Sequence, residues 1–337
     1  AHLITGLVVA ALTAATAPLS GDDAPPAPES LDRPADQTFL TYPEWFLVFS
    51  PEEYATYLVD RAPSDFPYFG HVDQFWESYG RVSDATADQP FNAGYHMMLW
   101  VIGGSTSVEY ALKATWERLV GRFTEQLRPG MTEEDHVAAA VARQYVDFIV
   151  HTPWFKFDFN HAVAQVWDAP AMGDGMVRKW ERRYALTTEF LVKSLYGKLI
   201  AAGTAASYAP TQLITTVGLD DAPPILPGFP DIKRHDGDGV VVTVPRYQAF
   251  TDYAMALAGA GMAFRSIAGN DGPILLTVLA PVAWDPGQLG TGADVLFRQP
   301  VLTATETDRV AVVVPVAELA ATLRACREVR VEHIFDY

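Results

Sequence analysis

Hydrophobic residues are concentrated in two stretches of the first third of the chain. Ala1–Ser20 opens the sequence, and Phe91–Val108 runs for eighteen residues without Asp, Glu, Lys or Arg. About 20 apolar residues are needed for a helix to span a bilayer. We therefore expect a transmembrane helix in each stretch. A cleaved signal peptide is the alternative for the first, and a buried helix of a water-soluble core for the second.

Helical periodicity continues beyond these stretches. Thr132 is followed by three acidic residues and an apolar stripe, which predicts a capped helix over Thr132–Val150. Ser50 followed by Pro51 predicts another helix start. Met176–Tyr208 begins with four basic residues and becomes increasingly apolar, which is typical of either an amphipathic surface helix or a third span.

The last hundred residues contain an internal repeat. Val240–Ile267 and Val310–Phe335 each read as an apolar strand ending in Val-Pro, a helix, and an alternating strand. Two further strands are predicted at Ile274–Ala280 and Leu296–Thr303. The repeat predicts a ferredoxin-like domain made of two βαβ units.

These patterns together predict a membrane-anchored α+β protein with two to three transmembrane or interfacial helices. The predicted divisions are an anchor (1–20), an acidic Pro-rich linker (21–38), an aromatic-rich extramembrane subdomain (39–90), a transmembrane helix with its extension (91–125), a helical region (126–208), a second linker (209–238) and the ferredoxin-like domain (239–337).

Charge sets the expected orientation. The net charge is −17, and no basic patch of the kind that binds nucleic acid is present. Residues 21–90 hold 14 acidic and 3 basic residues, whereas residues 109–208 hold 12 of each. The positive-inside rule therefore places residues 21–90 on the outer side of the membrane.

Few residues suggest chemistry. Glu133-x-x-His136 has the carboxylate–histidine spacing of di-iron bundles, but no second copy exists, and first-turn acids are expected for capping. His96 is a weak candidate metal ligand inside the apolar run. Cys326 is the single cysteine, which excludes an internal disulfide. With no nucleotide, haem or hydrolase motif, we predict no cofactor and no catalytic residue.

Two sets of residues are expected to make contacts instead. Small residues at the centre of the apolar run permit close helix packing: Gly103, Gly104, Ser105 and Ser107. Aromatic and basic residues are expected at the bilayer interface: Trp45, Trp76, Trp100, Trp154, Arg178, Lys179, Arg182 and Arg183.

Segments such as TYPEWFLVFSPEEY, PSDFPYFGHVDQFW and GYHMMLWVIGGSTSVEYALK resemble a family of uncharacterised bacterial integral membrane proteins over residues 40–205. The resemblance implies the bacterial inner membrane and no particular activity. We expect a non-catalytic accessory or scaffolding subunit of a larger membrane complex, respiratory or photosynthetic, whose partners are other subunits and the lipid bilayer. The alternatives are a membrane metalloenzyme and a sensor that binds a small ligand through its C-terminal domain.

Overall fold

A computed structural model describes residues 31–128, 130–170, 172–204, 214–229, 232–237, 239–290 and 292–336. The described chain forms two compact units, each drawn from separate parts of the sequence. Residues 45–76 and 97–204 form a helical unit, and residues 31–44, 77–96 and 214–336 form a sheet unit. The described part of the helical unit contains helices and no strand, and the sheet unit combines helices with two antiparallel sheets, which makes the protein α+β.

The first two thirds of the described chain are helical. The α-helices are α1 Gln37–Glu44, α2 Phe46–Tyr57, α3 Tyr68–Ala85, α4 Ala93–Trp116, α5 Arg122–Leu127, α6 Glu133–Ile149, α7 Phe159–Asp168 and α8 Met176–Thr204. Thr132 caps α6 as predicted, because its side chain and that of Asp135 each bond the other's backbone. The predicted start at Ser50 is wrong: α2 begins four residues earlier, and Ser50 bonds the Tyr110 hydroxyl at 2.5 Å.

No helix within the described ranges is long and apolar enough to cross a membrane. The predicted transmembrane helix over residues 91–125 and the third span within 126–208 are therefore wrong. An uncharged run is not necessarily an apolar one: Asn92, His96 and the Gly-Gly-Ser-Thr-Ser sequence lower the hydropathy of the stretch Phe91–Val108. The predicted inner-membrane location, and the outer position of residues 21–90, were wrong because they required these spans. The predicted anchor, Ala1–Ser20, lies outside the described residues.

The sheet unit consists of two repeats of the same topology. The first contains β1 Ile214–Leu219, β2 Lys233–Gly237, β3 Gly239–Pro245, α9 Gln248–Gly259 and β4 Phe264–Ile267. The second contains β5 Pro273–Pro281, β6 Asp294–Pro300, β7 Thr307–Pro315, α10 Val316–Ala325 and β8 Arg330–Ile334. The sheet orders are β2-β3-β1-β4 and β6-β7-β5-β8, with every pairing antiparallel.

Each repeat is therefore a split βαβ unit, in which β1 or β5 lies between the two strands that the helix connects. A ferredoxin-like domain would join both units in one sheet, so that prediction is wrong: each unit here has a sheet of its own. The two sheets and both helices share one core, which includes Val242, Leu257, Leu276 and Leu319.

Helix α1 packs in the sheet unit near its second sheet. Thr38 Oγ1 accepts a hydrogen bond from the Leu275 amide at 3.0 Å and lies 3.4 Å from the Phe335 carbonyl. The Tyr42 hydroxyl donates to Gln299 at 3.1 Å. The beginning and the end of the described chain thus meet in one unit.

Candidate functional site

The helical unit holds a buried group of charges where α4 ends. Residues Glu117–Gly121 form a π-helical turn between α4 and α5, and such turns are rare and frequent at functional sites. Arg178 of α8 donates to the Gly121 carbonyl at 3.1 Å. A Cβ at position 121 would collide with the Glu117 carboxylate. Glycine therefore allows this turn to keep its charged neighbours so close.

Two arginines of α8 lie at the centre of this group. Arg182 is 2.7 Å from Glu117 and 3.0 Å from Asp135, and Arg178 is 2.9 Å from Glu181 and 3.2 Å from Asp135. Both arginine side chains are at most 2% exposed. Burial opposes ionisation of Asp135, but the guanidinium groups of Arg182 and Arg178 hold the pKa of its carboxyl below its usual value. The group therefore joins the π-helical turn, α6 and α8 through ion pairs.

The other basic residues at the start of α8 are buried as well. Arg183 donates to Glu134 at 2.9 Å, and its guanidinium lies 5.5 Å from the Trp167 ring. Lys179 donates to the Pro170 carbonyl at 2.8 Å. The sequence predicted these two residues, with Arg178 and Arg182, to lie at the bilayer interface. They instead contact groups of their own unit, because α6 and the loop before α8 supply carboxylate and carbonyl acceptors.

A second charged group links the middle of α4 to α8. Lys113 is 3.2 Å from Glu109 and 2.7 Å from Glu189, and Lys193 is 3.0 Å from Glu109 and 3.1 Å from Glu189. Burial would raise the pKa of Glu189, but the charges of Lys113 and Lys193 lower it to about 2. Lys113 also lies 5.2 Å from the Tyr54 ring centroid. The two positive and two negative charges cancel, and their ion pairs connect α4 and α8 in an antiparallel arrangement.

Neither charged group offers evident chemistry. Their carboxylates and cations already pair with one another, which leaves none poised as a nucleophile or a general base. Among the described residues, no cluster of three or more His, Cys, Asp or Glu side chains could hold a metal ion. The geometry indicates that these groups fix the α4–α8 helix pair.

That helix pair presents a broad apolar surface, which we call the α4/α8 face. Apolar residues recur every three to four positions on the solvent side of both helices and continue into α5. Thirteen of them are 45–71% exposed: Trp100, Val108, Leu112, Leu119, Phe123, Leu127, Val177, Trp180, Tyr184, Leu191, Val192, Leu195 and Leu199. The stripes lie on the same side of the pair, and the Trp116 and Tyr184 rings meet between them at 5.3 Å.

The size of this face is unusual. A fully exposed side chain of this kind presents about 150–200 Å², so thirteen that are roughly half exposed amount to on the order of 1,000 Å². The largest apolar patch on a typical monomer is about 300–600 Å², and larger ones mark interaction sites. The α4/α8 face is therefore the candidate functional site.

The predicted packing residues differ in their surroundings. A Cβ on Gly103 would collide with Phe75, and Ser107 accepts a hydrogen bond from Trp76 at 3.0 Å. A Cβ on Gly104 would meet nothing within 4 Å. Ser105 is exposed and bonds the Ile102 carbonyl within its own helix. Gly103 and Ser107 thus lie against α3, whereas Gly104 lies on open surface.

The weak metal candidates are not brought together. Glu133 and His136 are exposed at the start of α6, whereas His96 belongs to the sheet unit. Burial lowers the pKa of His96, its Nδ1 is 2.9 Å from the Tyr79 hydroxyl, and its ring stacks on Phe91 at 4.4 Å. His96 lines an open cavity of about 350 Å³. No metal-binding set forms there within the described chain.

The four tryptophans predicted at a bilayer interface have mixed environments. Trp45 is buried, Trp154 is partly buried, and Trp76 and Trp100 are exposed. Trp154 stacks on Tyr196 at 5.4 Å. Of the four, Trp100 belongs to the α4/α8 face.

The sequence holds a pattern that is consistent with the charged groups. Glu109–Lys113 and Glu189–Lys193 have the same spacing of four residues, as do Arg178 and Arg182. That spacing indicates pairs within one helix, whereas the pairs between α4 and α8 are found only in the structure. Whether the apolar stripes of α4 and α8 are exposed depends on which helices pack against them, so only the structure identifies the exposed face.

Comparison of the chain with family models, with curated proteins and with solved structures gives no match.

Proposed function

We propose that the protein is a non-catalytic scaffolding subunit that binds other protein chains through the α4/α8 face. The observation that carries this proposal is the extent of that face, on the order of 1,000 Å² of exposed apolar surface. Burying such a surface is favourable by roughly 25 cal/mol for each Å² removed from water. A protein partner of ordinary interface size would cover it.

The buried charges support a scaffolding role. They fix α4 and α8 against each other through ion pairs of 2.7–3.2 Å. A docking surface held rigid before binding loses less conformational entropy on association. The charged groups therefore act on binding indirectly, by holding Leu112 of α4 and Leu195 of α8 on one fixed surface.

Site-specific photo-crosslinking in the native host tests this proposal. A photoreactive phenylalanine analogue is placed at Leu112 or Leu195, which are 67% and 62% exposed on the face. The matched control carries it at Ala140, an exposed position of α6 outside the face. We expect crosslinked protein adducts of defined mass from the two face positions and none from the control. Equal crosslinking from all three positions, or none at all, contradicts the proposal.

A further inference from the structure

The composition of the α4/α8 face indicates what covers it. The charges between its two helices, Glu109, Lys113, Glu189 and Lys193, are already paired with one another. These four charges therefore do not require an opposite charge pattern on a partner. An apolar face of this kind is complementary to itself, and interfaces between identical chains are more apolar than those of transient complexes.

We propose that a second copy of this chain covers the α4/α8 face, so that the protein is a symmetric homodimer. This inference rests on the proposed function and names the partner. A stable interface of standard size takes about 800 Å² from each partner, which the exposed area of the face matches. In a two-fold dimer each residue of the face is used twice. The four helices of the two faces would form one buried layer.

The relief of the face suits close approach of two helix pairs. Gly104 lies in the α4 stripe between Trp100 and Val108, with nothing near its missing side chain. Thr188 occupies the corresponding stripe of α8 between Tyr184 and Leu191. Small residues between large ones leave gaps that the large side chains of a second copy can fill.

Sedimentation equilibrium of the purified full chain at micromolar concentrations is the first measurement. We expect twice the monomer mass for the unmodified protein. Leu112→Glu and Leu195→Glu each place two charges in a symmetric interface, so the dissociation constant is expected to rise at least a hundredfold. The control, Ala140→Glu, introduces the same residue on an exposed part of α6 and should leave the mass unchanged. Far-UV circular dichroism verifies that each variant is folded.

Cysteine crosslinking supplies a second readout that does not depend on destabilising variants. The chain carries one cysteine, Cys326, which is buried, and it is first replaced by serine. Single cysteines at Gly104, Leu112 and Thr188 are then oxidised, and at least one should form a disulfide-linked dimer. A cysteine at Asp147, which is exposed on α6, should not.

Three results overturn the inference. The unmodified protein could be monomeric, its dimer could survive both leucine substitutions, or the monomer could bind phosphatidylcholine vesicles through Leu112 and Leu195. These results are distinguishable from failure of the proposed function. A monomer that still gives face-specific crosslinks to a different protein in the native host retains the scaffolding role and excludes only the second copy.

Discussion

Replacing Arg182 by methionine tests whether the buried charges hold the helical unit together. The side chain is 1% exposed and lies between Glu117 at 2.7 Å and Asp135 at 3.0 Å. Methionine retains much of the apolar volume of the arginine stem but removes the charge. Asp135 would keep Arg178 at 3.2 Å, whereas Glu117 would lose its guanidinium partner inside the unit.

The expected loss of unfolding free energy depends on whether one partner of the Arg182–Glu117 pair is removed or both are. Removal of one partner of a buried pair leaves an uncompensated charge and costs about 3–5 kcal/mol. That is a large fraction of the ~5–15 kcal/mol that stabilises a typical protein. In the double variant Arg182→Met, Glu117→Met the stranded carboxylate is gone, so its stability should recover by about 2 kcal/mol or more.

Equilibrium unfolding in urea, followed by tryptophan fluorescence, measures these differences. The indole of Trp116 donates a hydrogen bond to Glu181 at 2.7 Å within the charged group, so its fluorescence should change when this group comes apart on unfolding. The control is Arg118→Met in the same π-helical turn, where the arginine is exposed and the change should stay within about 0.5 kcal/mol. If Arg182→Met is no more destabilising than Arg118→Met, the charged group does not hold the helices together.

Three further predictions concern packing, pH and thiol chemistry. Gly103→Ala should destabilise the helical unit by about 1–3 kcal/mol in urea unfolding because its Cβ meets Phe75. Gly104→Ala, in open space, should be neutral or stabilising by up to about 1 kcal/mol, and equal effects would refute the packing argument. Burial keeps the pKa of His333 well below its usual value, so neutral His333 favours the folded state. Stability should therefore fall as pH drops below the unfolded-state pKa of about 6.5, by up to about 1.4 kcal/mol per pH unit. His333→Gln should have a shallower pH slope in urea melts between neutral pH and about pH 5, and an unchanged slope would contradict this. Burial raises the pKa of Cys326 to about 11, so iodoacetamide should modify it only in urea; rapid labelling of the folded protein would exclude such burial.

The parts of the fold that depend on local chemistry could be predicted from the sequence. Thr132 and the acids after it specify the start of α6 through backbone capping, which needs no distant partner. The Val-Pro steps at Pro245 and Pro315 correctly placed the ends of β3 and β7 and the turn into each helix. The continuous apolar run Ile274–Ala280 likewise identified β5, because a strand buried on both faces is apolar throughout.

Long-range pairing could not be predicted in the same way. The two βαβ patterns are equally compatible with one sheet or two, and the difference depends on β1 and β5 inserting between the connected strands. The uncharged run of α4 was interpreted as lipid-facing because its packing against Phe75 was not visible. The apolar residues of the α4/α8 face are visible in the sequence. A helix buried on two sides and a helix buried on one side have similar patterns of apolar residues, so the sequence does not show which of these residues are exposed.

The contacts of α1 within the sheet unit have a consequence for synthesis on the ribosome. Helix α1 emerges before its partners, because Thr38 bonds Leu275 and lies against Phe335, 297 residues later in the chain. Its final contacts cannot form until Phe335 has been translated. The intervening helices of residues 97–204 contact one another and can fold earlier, whereas α1 must wait with its apolar side unprotected. Loss of the residues around Phe335 would thus affect α1 as directly as it affects β8.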